Sequence, residues 1–332
     1  MKLRFPWRVA IFTGLITGLF MSCSKNNSNT GSSNQTTVQT QADDESMVSN
    51  ESEMAANDVD VALTSNFTIN GQSANSIRYG NPVVNSTNDG TETLGTGNTL
   101  ICDAAVVIDT TVNPRTITIT YNGTNCWGNR TRTGTVVVSI PSGIAWKNQG
   151  ATVNISVQNL KITRLMDGKT IILNGSRTMT NVSGGSMTDL ATLGTITHAI
   201  SDSLSITFAD NLVRTWQVAK QRVFTYNNGV VMTTTGTHSD GTNSNVAVWG
   251  INRFGTAFES LITIPKVFRQ DCDFRLVSGQ NKILRADSLN STITYGLDAT
   301  GAATTCPGTG NYYFEIVWSF PNGKTVPIIF PY

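Results

Sequence analysis

From about residue 64 onward the chain is written in period two. Arg115-Thr-Ile-Thr-Ile-Thr-Tyr121 alternates polar and apolar residues without a break, and the same alternation runs through 131–140, 153–162, 170–179, 204–208 and 212–226. Further runs cover 229–235, 245–249, 258–264, 266–277, 282–289, 291–297, 312–320 and 325–330. Side chains on a strand point alternately to opposite faces, so each run offers one face for burial and one for water. Turn signals separate the runs: Asn122-Gly123, Asp167-Gly168, Asn174-Gly175, Asn228-Gly229, Asp240-Gly241 and Pro321-Asn322-Gly323. Connections this short pair sequence neighbours as antiparallel hairpins. No helical pattern of 10 to 15 residues comes between them, which excludes a parallel α/β sheet. The expectation is an all-β fold over 64–332, a large antiparallel meander that is either one curled sheet or sandwich-like.

Composition agrees with strands and sharpens the charge argument. Only 14% of residues are charged, against about 25% in ordinary soluble domains. Thr, Ser, Asn and 29 Gly fill the gap, as exposed strand faces and turns require. The Thr-x-Thr ladders of 116–120 and 131–135 read as the solvated side of a half-buried sheet rather than as an ice-binding surface. The net charge of +1 excludes a strongly basic nucleic-acid binder. That value averages two unlike regions. The first 60 residues hold seven of the 22 acidic side chains, and from residue 61 onward 19 Lys+Arg face 15 carboxylates.

Ahead of the strands the chain divides into three parts. Residues 1–22 carry Lys2, Arg4 and Arg8 and then an apolar stretch from Val9 to Met21, which is too short to span a membrane and reads as an export signal. It ends at Ser22-Cys23, which resembles the lipobox of bacterial lipoproteins. In that class the cysteine is acylated and becomes the new N-terminus, so Cys23 is the expected lipidation site and the membrane the expected partner. Residues 23–44 hold almost nothing to bury and read as a disordered tether with a reach of about 25 Å. Within it, Gln41-Ala42-Asp43-Asp44-Glu45 is read as the acidic first turn of a helix, with a surface-export tag as the alternative. Residues 45–63 place Met47, Val48, Met54, Ala55, Val59, Ala62 and Leu63 at three-to-four spacing and predict one short amphipathic helix.

Setting Cys23 aside leaves Cys102, Cys126, Cys272 and Cys306. An even count in an exported chain points to two disulfides, and of three connectivities the local one, Cys102–Cys126 with Cys272–Cys306, is expected. The segments around the pairs are alike. Cys102 is followed by Thr116-Ile-Thr-Ile-Thr-Tyr121-Asn-Gly123, Cys126 and a strand; Cys272 is followed by Ser291-Thr-Ile-Thr-Tyr295-Gly296, Cys306 and a strand. Two related halves are inferred, with chance similarity among Thr-rich strands as the competing explanation.

Cys23-Ser-Lys25, Asn50-Glu-Ser-Glu53, Asn129-Arg-Thr-Arg-Thr-Gly134, Gly175-Ser-Arg-Thr178, Arg214-Thr-Trp216 and the closing Cys272…Thr292-Ile-Thr-Tyr295…Cys306 run along nearly the whole mature chain. Together they resemble a group of uncharacterised β-rich outer-membrane lipoproteins of Bacteroidota. The resemblance implies a lipid-anchored outer-membrane location, on either the surface or the periplasmic side, and two disulfides. It implies no reaction and no catalytic residues.

Chemistry-bearing motifs are sparse. No G-x-S-x-G elbow, phosphate loop, H-E-x-x-H or dinucleotide fingerprint occurs, so no cofactor or metal is expected and no enzyme is expected. The spacings of the cysteines lack a C-x-x-C, and His198 and His238 are the only histidines. Ser239 and Asp240 flank His238 but read as a turn, since adjacent residues cannot form a catalytic triad. Glu259 and Glu315 are the one candidate carboxylate pair for a glycan-acting enzyme. Arg214, Trp216, Lys220 and Arg222 share one strand face and form a candidate binding row for an anionic glycan or lipid head group, or else a solvated sheet face. Asp109-Thr110, Asp202-Ser203 and Asp287-Ser288 fit a loose O-glycosylation pattern that requires exposed turns. The leading expectation is a lipid-anchored protein with a non-catalytic β domain for binding or envelope structure. A glycan- or lipid-acting enzyme and a membrane-embedded β-barrel are the alternatives.

Overall fold

The computed structural model describes residues 29–71, 84–86, 91–94, 101–272, 274–304, 312–319 and 325–332. The export signal, Cys23 and Cys306 lie outside these residues. A long helix comes first, α1 (Asn29–Ser65), followed by one turn of helix, α2 (Phe67–Asn70). The strands of the first half are β1 (Val84–Ser86), β2 (Thr91–Leu94), β3 (Ala104–Asp109), β4 (Arg115–Thr124), β5 (Arg130–Ile140), β6 (Ala151–Arg164) and β7 (Thr170–Asn181). A short helix, α3 (Leu190–Leu193), precedes β8 (Thr195–Phe208), β9 (Val213–Tyr226), β10 (Val230–Gly236), β11 (Val246–Ile251) and β12 (Ala257–Arg269). The chain closes with β13 (Arg275–Arg285), β14 (Ser291–Leu297), β15 (Tyr313–Ser319) and β16 (Thr325–Pro331).

All sixteen strands belong to one antiparallel sheet in sequence order, with a single departure. β10 and β11 lie end to end between β9 and β12: β10 pairs with Lys220 to Tyr226, and β11 with Gln217 and Val218. The expected meander is therefore a single curled sheet and not a sandwich. The expected break at Pro265 is absent. The expected run 266–277 breaks instead at the 3-10 turn of Gln270–Cys272, its end belonging to β13, and Ala257–Arg269 forms one strand, β12, whose register against β13 shifts three times between Ile262 and Phe268. A proline without a ladder donor is accommodated at such an irregularity.

The pleat sorts the residues as the alternation requires. Ile117, Ile119, Val136, Val138, Val153 and Ile155 are buried, while their neighbours Thr116, Thr118, Asn154 and Ser156 face outward. Curvature comes from bulges. Between β5 and β6 the register shifts at Gly134, which sits at φ 117°, and a Cβ there would lie 2.3 Å from Asn159 O. Only glycine lets the two backbones approach so closely.

The sheet wraps around α1. From residue 41 to residue 53 every helix position except Asp43 is buried, on all sides. At 37 residues the helix is about 55 Å long. Two expectations are corrected here. The helix does not begin at residue 45, and the stretch from 29 to 44 is its first part rather than a disordered tether. Val38 and Ala42 pack into the core, and the polar residues that looked unburiable have partners on the sheet: Gln41 accepts from Asn252, and Asp43 and Asp44 meet arginines. Nor is the helix amphipathic, because the stretch from 41 to 53 is enclosed on every side and has no solvent face to mark with polar residues. No described helix is long and apolar enough to cross a membrane.

The repeated cysteine segments occupy equivalent places in strand order. Cys102 precedes β3, β4 carries the first T-I-T-Y run, and Cys126 precedes β5; Cys272 precedes β13, and β14 carries the second run. Tyr121 and Tyr295 both point inward and are buried, with Arg132 above the first ring at 4.4 Å and Lys266 above the second at 5.0 Å. The following glycines differ. Gly296 sits at φ 79° with its missing Cβ 1.9 Å from Val277 O, whereas a Cβ on Gly123 would make ordinary contact.

Candidate functional site

The basic residues of the strands and the acids of α1 turn out to be two sides of one interface. Asp43 pairs with Arg164 at 3.0 Å, Asp44 with Arg253 at 2.5 Å, Glu45 with Arg214 at 2.5 Å, and Glu51 with Arg130. Glu53 pairs with Lys220 at 3.1 Å, Asp58 with Arg132 at 2.7 Å, and Asp60 with Arg222 at 2.8 Å. All seven acids of the N-terminal region thus meet a cation of the β domain, six of them on strands and Asp44 on Arg253 in the turn between β11 and β12. A carboxylate or guanidinium is retained in an apolar interior only when paired and hydrogen-bonded, and here each charge is. Burial pushes the carboxyls of Glu45, Glu53 and Asp60 up, but the facing cations more than offset it and hold all three below the usual range.

This placement corrects the candidate binding row. Arg214, Trp216, Lys220 and Arg222 do share the inner face of β9, yet each is at most 2% exposed and faces α1. The Arg214 guanidinium lies 4.6 Å from the Trp216 ring and 4.2 Å from that of Phe258. The anion that the row recognises is the chain's own helix, so the row offers nothing to an external glycan or head group. Asp43-Asp44-Glu45 likewise forms neither a helix start nor an exposed tag, since all three carboxylates pair with arginines of the β domain from mid-helix.

The other candidates separate. His198 lies within β8, buried between the rings of Trp146 and Phe224, with Nδ1 3.2 Å from Asp60. His238 stacks on Trp249 at 4.1 Å, and Asp240 accepts the N–H groups of Thr242 and Asn243, the turn that was expected. Glu259 on β12 and Glu315 on β15 lie on the outer face with β13 and β14 between them, so they do not face each other. Glu259 instead neighbours Asp240 through the Asn243 amide, which reaches both carboxylates at 3.1 and 3.2 Å. Of the three Asp-Ser/Thr segments, Asp202 is mid-strand and clamped by Arg177, so that segment is no turn. The Cys102–Cys126 disulfide is present. Cys272 is also disulfide-bonded, while the expected partner Cys306 is outside the described residues. Among the described residues no group of His, Cys, Asp and Glu could hold a metal ion.

A cavity of about 310 Å³ lies beside the last turns of α1. Met54, Val61, Phe67, Ile101, Trp127, Met187, Phe224, Val230 and Phe274 supply an apolar wall. Trp127 is held at the disulfide corner between β4 and β5. Phe274 follows the 3-10 turn of Gln270–Cys272 and adopts φ 52°, a conformation unusual for a bulky side chain. Its N–H is anchored on Arg269 O at 2.8 Å. Backbone held in a sparse region at a cost of about 1–3 kcal/mol tends to mark a site where direction matters. Trp127, Met54 and Phe274 also line a smaller adjoining cavity of about 40 Å³. No motif marks this site in the sequence, because its apolar wall comes from seven separate segments of the chain.

Comparison with protein families, with curated proteins and with solved structures found no match for this chain.

Proposed function

We propose that the protein is a lipid-anchored outer-membrane lipoprotein, acylated at Cys23, whose β domain binds a small apolar molecule without transforming it. The observation that carries this reading is the cavity at the end of α1. Its volume falls at the lower end of the about 300–1,000 Å³ typical of small-molecule sites, and its wall is apolar and aromatic with a few polar groups at one side. The outer face supports a water-exposed domain over a membrane-embedded barrel: on β6 and β8 it carries Thr152, Asn154, Ser156, Ser201, Ser203 and Ser205 in place of an apolar belt. Glu259 and Glu315, the carboxylate pair named for the enzyme alternative, lie on strands separated by two others, which favours binding over hydrolysis by that pair. The resemblance to β-rich lipoproteins of Bacteroidota belongs to the same proposal.

Two measurements test it. Cells fed radiolabelled palmitate should label the wild-type chain and not Cys23→Ala. The purified domain should bind an apolar fluorescent reporter such as N-phenyl-1-naphthylamine at one site per chain. Absence of saturable reporter binding would refute the binding function, and labelling of Cys23→Ala would refute the anchor.

A further inference from the structure

The cavity has one polar corner, and its charge is unbalanced. Asp58 lines the cavity, and 19% of its side chain is accessible. Behind it Asp103 is completely enclosed. Both carboxylates depend on the same guanidinium. Arg132 places Nε and one terminal nitrogen on Asp103 at 2.7 and 2.5 Å, and its other terminal nitrogen on Asp58 Oδ2 at 2.7 Å. Tyr121 donates its hydroxyl to the same Oδ2 at 2.9 Å. Every bond that Asp58 receives therefore lands on one oxygen, and among the described residues Arg132 is the only cation paired with either acid. Two negative charges share one positive charge at the base of an apolar pocket, with Oδ1 of Asp58 free to accept.

Other groups near this corner do not restore the balance. The Arg222 guanidinium is committed to Asn57 and Asp60, with Glu53 close by. His198 faces Asp60. Thr64, one helical turn beyond Asp60, also lines the cavity, but its hydroxyl is buried and makes no hydrogen bond. Burial and the neighbouring Asp103 charge raise the Asp58 carboxyl, and Arg132 and Tyr121 only partly counter this. An uncompensated buried carboxylate is costly until a donor or a cation meets it.

We propose that the cavity selects an amphipathic amine: an alkyl or aryl body against Met54, Val61, Trp127, Phe224 and Phe274, with its ammonium on Asp58 Oδ1. This inference rests on the binding function proposed above and names the ligand class of the same site. An ammonium supplies the missing positive charge and N–H donors. An alcohol supplies a donor without charge, and a carboxylate adds a third negative charge to the corner.

The test is competition against the bound reporter by dodecylamine, dodecanol and dodecanoate, each below its micelle concentration, on the full mature chain. Dodecylamine should displace reporter on the order of 10-fold more strongly than dodecanoate, with dodecanol between them. Asp58→Asn should bring the amine and the acid to within about 3-fold of each other while leaving dodecanol unchanged. Should Asp58→Asn fail to fold, Val61→Trp fills the cavity from a half-exposed helix position away from the ion pairs, and it should weaken all three competitors. Equal displacement by amine and carboxylate, or a preference for carboxylate, overturns the amine assignment while the binding function stands. Reporter that never binds overturns both. Amine binding that survives Val61→Trp unchanged places the amine elsewhere and overturns the assignment.

Discussion

Replacing Glu45 by Ala should destabilise the protein by about 3–5 kcal/mol, the usual effect of removing one partner from a buried ion pair. Glu45 and Arg214 are each 1% exposed, and their charged groups meet at 2.5 Å. Without Glu45 the Arg214 guanidinium keeps no ion-pair partner in contact, only the faces of Trp216 and Phe258, at 4.6 and 4.2 Å, and the more distant charge of Asp44. Such stacking contributes about 2 kcal/mol at best when desolvated, too little to hold a buried cation. Urea unfolding followed by tryptophan fluorescence would give the loss directly, and at about 2–4 °C per kcal/mol the thermal midpoint should fall by roughly 6–20 °C. The double variant Glu45→Met with Arg214→Met removes both charges and leaves apolar volume, so it should recover most of the loss. A single variant within 1 kcal/mol of wild type, or a double variant worse than the sum of the singles, would refute the reasoning that the helix is held inside the sheet by paired charge.

Three further outcomes follow from other parts of the fold. Lys266 is buried beside Lys220, Glu45 and Glu53 and its ammonium pKa is pushed down to about 7, mainly by burial; the unfolded chain then binds more protons than the folded one above pH 7, so stability should rise from pH 7 to about 9.5, and Lys266→Met should flatten that slope in pH-dependent unfolding. Gly296→Ala should cost more than about 2 kcal/mol because its Cβ would collide with the Val277 carbonyl, while Gly123→Ala should fall within about 1 kcal/mol of wild type, as chemical denaturation will show. Breaking the 24-residue separation bridged by Cys102 and Cys126 with a double Ser substitution should cost about 3–4 kcal/mol by loop entropy, and non-reducing peptide mapping should link Cys272 to Cys306.

The strands were legible because one face of each is wet and the other is dry, which stamps period two on sequences such as Arg115 to Tyr121. The long helix was legible only over 45–63, where Val48, Ala55, Val59 and Ala62 fall at helical spacing. Its earlier turns were not, because Gln41, Asp43 and Asp44 look unfit for burial until their partners Asn252, Arg164 and Arg253 are placed around them. The charge division between the first 60 residues and the remainder was visible, but a sum of charges does not show that the two parts neutralise each other across an interface. Reading Arg214, Trp216, Lys220 and Arg222 as a row that recognises an anion identified the chemistry correctly and the partner wrongly. The end cavity left no trace in the sequence, since Asp58, Trp127, Phe224 and Phe274 meet only after the sheet has curled.

The central claim is that the acidic N-terminal segment is the core of the β domain, and amide hydrogen exchange on the full mature chain tests it most directly. Peptides covering residues 41–53 should exchange as slowly as those from β6, β8 and β9, because this part of the helix is enclosed on every side. Exchange of 41–53 within seconds, while those strands remain protected, would show a free tether and contradict the account.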